Sequence, residues 1–181
     1  MSAAPTVTRD EEPIFTSSYF DALKDPCSVF DGSVWHLYGT GSGTRRAWDV
    51  WRIVHATAPE LQGLWTERVP VRSGGAHGTC VAAPGVIYDE GEGVFHLYIQ
   101  IDCLELDGDL LHFSSKDGNR FLMRRPALHS RPNTEEAGIY DSHPAIFHGQ
   151  KYLTYSAMRT IRRSGKAGLH FASMERSRSV Q

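Results

Sequence analysis

The chain has 181 residues, of which 40% are hydrophobic and 22% charged, and its formal net charge is −2. This composition is typical of a folded domain and argues against a disordered or membrane-spanning chain. The near-neutral charge provides no field that would hold a nucleic acid, so neither a membrane nor a nucleic acid is predicted as a partner.

Residues 1–18 precede the first recurring motif and are predicted to be an N-terminal extension. Their first twelve residues include no apolar segment of the kind a secretory signal requires, so we expect a cytoplasmic location. The number of cysteines is odd and their spacing is neither that of disulfide partners nor that of a zinc site. We therefore predict reduced thiols, no metal and no cofactor. These cysteines are Cys27, Cys80 and Cys103.

A short pattern recurs three times along the chain. It begins at Pro26, Pro84 and Pro144, which lie 58 and 60 residues apart, and continues through a glycine into an aromatic strand. A second strand with a histidine near its centre follows in each unit. The aromatic segments are Trp35–Tyr38, Phe95–Tyr98 and Tyr152–Tyr155, and the histidines are His55, His112 and His170.

The repeated unit predicts four antiparallel strands. Its segments alternate β-branched or aromatic residues with Gly, Asn and Asp turns, and none shows sustained helical periodicity. Self-similarity at a fixed period with four short strands per unit is typical of β-propeller blades. We predict an all-β fold in which residues 19–181 form part of a propeller. Its three blades are predicted roughly at 26–75, 83–130 and 141–181, with the strands starting near Val29, Val86 and Ala145 innermost.

Residues at the start of the innermost strands of a propeller gather around one pocket. The residue before the repeated proline is Asp25 in the first unit, Ala83 in the second and His143 in the third, with Asp141 two positions upstream. Two carboxylates therefore lie at the start of the first and third blades. An aspartate before proline is also a common turn residue, so a purely structural role for Asp25 stays open.

The segments around these positions resemble glycoside hydrolase family 43 and its relatives, which are five-bladed propeller glycosidases. Residues 24–40, 83–87 and 139–147 carry the resemblance, which extends over most of residues 20–175. It implies hydrolysis of a glycosidic bond of a plant-type or microbial oligosaccharide, with inversion. In that role Asp25 is the general base that activates water, and Asp141 is the aspartate that tunes the acid and orients the sugar.

The resemblance also implies a glutamate general acid from a fourth blade, whereas this sequence ends at Gln181. Inverting hydrolysis needs a base and an acid roughly 6.5–9.5 Å apart. We therefore expect the acid to be missing or to come from outside the chain. Glu136, in the loop before the third blade, is the nearest substitute, and a solvated acidic loop is the competing interpretation of that segment.

Three further residues are predicted to contact the sugar. His143 and Tyr140 flank Asp141, and Trp48 offers a flat face that can stack on a pyranose ring, as does Trp51. The recurring histidines are expected to pack or form hydrogen bonds within their blades rather than bind a metal.

Two functional classes follow from this pattern. The first is a glycosidase, and the second is a non-catalytic carbohydrate-binding or assembly module that keeps the sugar pocket without a proton donor. Both stay open because a fold does not determine activity. Three blades leave two faces uncovered, so self-association is predicted for either class.

Overall fold

The computed structural model describes residues 12–43, 51–68, 71–74, 81–101, 109–128, 138–159 and 166–174. Over these ranges the chain forms twelve β-strands and no helix, as the sequence predicts. The described segments accordingly include no helix long and apolar enough to cross a bilayer.

The first sheet is an antiparallel meander of four strands. Its strands follow chain order from one edge to the other, and a tight turn at Gly32, where φ is +97°, joins the first two. The strands are β1 (Ala22–Phe30), β2 (Trp35–Ser42), β3 (Arg52–Ala58) and β4 (Thr66–Glu67).

The second sheet repeats this meander and gains one strand from the segment that leads into it. The strand β5 pairs in parallel with β9 at the outer edge, so the connection after the first sheet extends the second sheet to five strands. The strands are β5 (Arg72–Gly74), β6 (Val81–Asp89), β7 (Val94–Ile101), β8 (Leu110–Ser115) and β9 (Arg120–Leu128).

The third sheet comprises three described antiparallel strands, β10 (Gly138–Phe147), β11 (Gln150–Arg159) and β12 (Lys166–Met174). The first strands of the three meanders, β1, β6 and β10, are neighbours, because β6 lies against both β1 and β10. These three strands contain the residues predicted to be innermost. The three sheets therefore lie side by side in the order in which their repeats occur along the chain.

Two apolar layers hold the three sheets together. The layer between the first and second sheets includes Tyr38 and Phe95, and the layer between the second and third includes Tyr98 and Leu153. All four side chains are nearly inaccessible to solvent. Burying a side chain of this size contributes about 1.5–3 kcal/mol, so face-to-face packing of sheets is the main source of stability.

Candidate functional site

A β-bulge interrupts the first strand of each meander, β1, β6 and β10, at the same place. Two residues of the strand oppose one residue of its partner at 25–26 in β1, 83–84 in β6 and 141–142 in β10. The three bulges are therefore spaced by 58 residues in both intervals. Bulges bend the strand and re-aim a side chain, and they are frequent beside active sites.

The bulges correct the alignment of the third repeat. Asp141 and Ser142 take the positions of Asp25 and Pro26, so Pro144 is not the counterpart of Pro26. His143, which the proline spacing placed level with Asp25, instead lies beyond the bulge, opposite Thr154. In the structure Asp25 and Asp141 therefore occupy equivalent positions, each as the first residue of a bulge.

The first residue of each bulge has a left-handed backbone. The φ angle is 54° at Asp25, 47° at Ala83 and 51° at Asp141. Aspartate tolerates this region better than most residues, whereas alanine adopts it at a cost of about 1–2 kcal/mol. Three equivalent strained positions on neighbouring strands indicate a conformation that the surrounding contacts impose, and such strain concentrates at functional sites.

The carboxylate of Asp25 is held on one oxygen. Thr40 Oγ1 donates a hydrogen bond to Oδ2 at 2.9 Å, and the ammonium group of Lys24 lies 3.7 Å from the same atom. The Asp25 side chain keeps 35% of its surface exposed. Among the hydrogen bonds between residues that the structure describes, none reaches Oδ1.

Trp51 contacts the lysine that precedes Asp25. The Lys24 ammonium is 4.2 Å from the centre of the Trp51 ring, which is a cation–π distance. The lysine therefore connects an aromatic face to the candidate base.

Asp141 is exposed, and its backbone is fixed from the second sheet. Gln100 Oε1 accepts a hydrogen bond from the Asp141 N–H at 3.1 Å. The next residue, Ser142, is buried, with its hydroxyl 3.5 Å from the carbonyl oxygen of Tyr98. These contacts set the direction in which the Asp141 side chain leaves the strand.

The other predicted site residues divide into two groups. His143 is exposed and Tyr140 is half-buried, and the two residues flank the third bulge, while their contact with a sugar stays a prediction. Glu136 and Trp48 lie outside the described residues. The polar residues that hold the bulges, Thr40 and Gln100, were not predicted, although each is a buried polar residue on a strand that contributes to an apolar layer.

The opposite end of the inner hairpins carries a buried chain of hydrogen bonds. His36 Nε2 lies 3.1 Å from Asp31 Oδ2, His36 Nδ1 lies 3.0 Å from His55 Nε2, and His55 Nδ1 lies 3.3 Å from Asn119 Oδ1. Burial lowers the pKa of His55 to about 4. Burial alone raises the pKa of Asp31, but backbone N–H groups of Val34 and Ser33 outweigh it and bring the value to about 2.

The second sheet repeats this arrangement with a lysine added from the third. His96 Nδ1 lies 3.0 Å from His112 Nε2, and Lys151 Nζ approaches Asp89 at 2.8 Å, Glu92 at 2.9 Å and His96 Nε2 at 3.2 Å. Asp89, Glu92 and His96 have the spacing of a metal-binding group. The ammonium group of Lys151 already supplies the positive charge there, so the cluster fastens two sheets together.

Comparison with solved structures relates this fold to propeller enzymes. An endo-arabinase from Bacteroides thetaiotaomicron superposes with a TM-score of 0.66 at 14% identity, over 91% of this chain and 63% of that one. A thermostable family-43 glycoside hydrolase gives 0.58 at 14% identity, over 83% and 50%. An N-acetylgalactosamine deacetylase from F. plautii, in complex with blood group B trisaccharide, gives 0.63 at 20%, over 88% and 52%.

These similarities establish the fold. The chain is a partial β-propeller, as its sequence repeats predict, and its fold is of the kind found in glycoside hydrolases of family 43. It spans roughly half to two thirds of the length of the three solved structures described above. No protein-family model matches the sequence, and no curated protein matches it.

Proposed function

We propose that the chain binds carbohydrate along the edge where the three bulges meet, and that Asp25 and Asp141 act there in hydrolysis of a glycosidic bond. The observation that carries the proposal is the occurrence of carboxylates at two of three equivalent, strained bulges on neighbouring strands. Strained, solvent-accessible carboxylates at the start of the inner strands match the requirements of a catalytic pocket.

Asp25 is suited to the role of general base. Its protein contacts fall on Oδ2, which leaves Oδ1 to accept a proton from water. The water oxygen then attacks the anomeric carbon, the bond to the leaving oxygen breaks, and that oxygen takes up a proton from an acid. Asp141 orients the sugar from the third sheet, where its side chain is exposed beside Tyr140 and His143.

The reaction also needs an acid, which protonates the leaving oxygen. Glu136 is the first candidate within the chain, and a group from outside the chain is the second. Either source is compatible with inversion, provided that a water molecule fits between the two carboxyl groups.

A non-catalytic carbohydrate-binding module is the alternative. The observation that favours it is Ala83, which occupies the middle bulge and provides no carboxylate between Asp25 and Asp141. Such a module would bind sugar through the same edge without releasing product.

Activated and unactivated substrates separate the two functions. An aryl arabinofuranoside or xyloside has a leaving group that needs little protonation, whereas the corresponding oligosaccharide requires an acid. We expect wild-type turnover of the aryl glycoside, and loss of that turnover in both Asp25→Asn and Asp141→Asn. Glu90→Gln, which removes an exposed carboxylate from the β6–β7 turn, is the matched control and should keep full activity.

The outcomes assign the function as follows. Turnover of the unactivated oligosaccharide that is lost in Glu136→Gln identifies the acid within the chain. Sugar binding by calorimetry without turnover of either substrate supports the module and overturns the hydrolase. Asn variants that hydrolyse the aryl glycoside at the wild-type rate exclude Asp25 and Asp141 from the reaction.

A further inference from the structure

The first two sheets share a pattern of hydrogen bonds at their inner edge. In each sheet a polar side chain on the second strand accepts a hydrogen bond from the N–H of the left-handed bulge residue in the following sheet. Thr40 Oγ1 accepts from the Ala83 N–H at 2.8 Å, and Gln100 Oε1 accepts from the Asp141 N–H at 3.1 Å. Thr40 and Gln100 also occupy the same register position, directly opposite the residue that precedes the bulge in their own sheet.

Of these two side chains, Thr40 also reaches a carboxylate of a described residue, whereas Gln100 has no such contact among the described residues. Thr40 Oγ1 is 2.9 Å from Asp25 Oδ2, and Thr40 is completely buried. An ionised carboxylate only accepts hydrogen bonds, and an amide N–H only donates them. The single hydroxyl proton of Thr40 must therefore point at Asp25 Oδ2, while the hydroxyl oxygen receives the N–H of Ala83. Both neighbours are satisfied by one orientation of the hydroxyl group.

We infer that Thr40 is a positioning residue, which holds the Asp25 carboxylate by Oδ2 and so presents Oδ1 to the reacting water. This inference rests on the proposed role of Asp25 as the base. The Ala83 N–H orients the Thr40 hydroxyl group, and this hydroxyl group in turn orients the Asp25 carboxylate. The orientation of the Asp25 carboxylate therefore depends on the junction between the first two sheets. Lys24, whose ammonium group lies 3.7 Å from Oδ2, adds charge to the same oxygen and leaves Oδ1 available.

The test compares Thr40→Val with Thr40→Ser. Valine has nearly the same shape as threonine but no hydroxyl group, whereas serine keeps the hydroxyl. The first measurement is the side-chain rotamer of Asp25, from three-bond NMR couplings or a crystal structure, and it needs no substrate. We expect one rotamer in the wild type and in Thr40→Ser, and several in Thr40→Val. A single unchanged rotamer in Thr40→Val overturns the inference.

The second measurement uses the aryl glycoside. We expect kcat to fall about 10- to 100-fold in Thr40→Val with KM nearly unchanged, because a misdirected base impairs the chemical step rather than binding. The kcat of Thr40→Ser should stay within about threefold of the wild type. Serine loses the buried methyl group but keeps the hydroxyl, so a low kcat in this variant would indicate an effect of lost volume and not of the hydroxyl group. Equal kcat values in the wild type and the valine variant also overturn the inference.

The two measurements separate this inference from the proposed function. If the wild type fails to hydrolyse the aryl glycoside, the hydrolase proposal fails, and the rotamer measurement still decides whether Thr40 holds Asp25. Thermal unfolding of both variants shows whether the fold is kept. If Thr40→Val does not fold, Thr40→Ala in the full chain takes its place for both measurements, with the same expected results.

Discussion

Gly85 in the second sheet and Ser142 in the third approach each other more closely than any side chain at position 85 would allow. A Cβ atom at Gly85 would lie 2.3 Å from the Ser142 carbonyl oxygen and 2.5 Å from Pro144 Cδ. Neither neighbour is the end of a flexible side chain. The inner strands of these two sheets are therefore in contact beside their bulges, so the spacing of Ala83 and Asp141 depends on this glycine.

Replacing Gly85 by alanine should force the second and third sheets apart. We expect Gly85→Ala to lower the free energy of unfolding by about 1–3 kcal/mol, as overpacking of a tight contact does. Urea titration measures this loss. Gly91→Ala is the matched control, because a Cβ atom there meets only Asp89 Oδ1 at 3.3 Å in an exposed turn. Its stability should stay within about 0.5 kcal/mol of the wild type. Equal effects of the two substitutions would contradict the contact.

Lys151 is expected to stabilise the junction between the same two sheets from the opposite end. Its ammonium group contacts Asp89 and Glu92 while only 19% of its side chain is exposed. Lys151→Met should lower the free energy of unfolding by about 1–3 kcal/mol, because it leaves both carboxylates without their cation. Lys116→Met, which alters an exposed lysine, is the control and should have little effect.

The effect of Lys151→Met should also depend on pH. The hydrogen bond from Lys151 is the main reason that the pKa values of Asp89 and Glu92 lie below their ordinary values of 3.8 and 4.5. That stabilisation is present above these ordinary values and is lost as the pH falls below them. The difference between wild type and variant, measured by urea titration, should therefore shrink between pH 5 and the acid limit. A constant difference would contradict the ion pair.

The fold was predictable because the repeat fixes both strand order and turn position. Prolines 58 residues apart mark the first two bulges, and the aromatic strands that follow supply the layers between the sheets. The third bulge was displaced by two residues in the sequence alignment. Ser142 replaces proline there, and Pro144 further along the strand gave a misleading match.

The supporting residues of the site were not predictable from spacing. Thr40 and Gln100 differ in size and chemistry, and their common role appears only when the register places each beside the bulge of the next sheet. A polar residue on a buried strand was the available signal. Asp25 and Asp141 carried a stronger signal, because an aspartate lies at the start of two of the three repeats.

Acid should weaken the fold through the buried histidines. His55 has a pKa of about 4 in the folded chain against an ordinary value of 6.5, chiefly because of burial. Between these values the unfolded chain binds a proton that the folded chain does not, so stability falls as the pH falls from 6.5 to 4. We expect a loss on the order of 1–2 kcal/mol between pH 7 and pH 5, measured by urea titration at each pH. Burial lowers the pKa of His96 as well, which adds to the loss.

His55→Phe tests the source of this pH dependence. Phenylalanine keeps a ring to stack on Tyr38 but does not titrate, so the variant should lose less stability on acidification than the wild type, whatever its stability at pH 7. His148→Asn is the control. It removes an exposed histidine, and asparagine tolerates the φ of 49° at that position. The same pH dependence in His55→Phe and wild type would assign the effect to other groups.

Self-association is expected through the outer faces of the first and third sheets. Cys27 and Val29 pack toward the second sheet, so strand alternation turns Phe30 outward, and 43% of it is exposed. At the other end of the arc Phe147 is 62% exposed. Light scattering at micromolar concentrations should show a mass above 20.2 kDa that rises with concentration, because exposed apolar sheet faces favour association.

Phe147→Ser should reduce this association, because Phe147 is the more exposed of the two phenylalanine rings on the outer faces. Leu64→Ser is the matched control. Leu64 is 92% exposed, but it lies in the β3–β4 connection rather than on an outer sheet face, so its loss should leave the mass unchanged. A concentration-independent mass of one chain in the wild type would show that the outer faces do not associate. Equal effects of both substitutions would point to general surface hydrophobicity instead of the sheet face at Phe147.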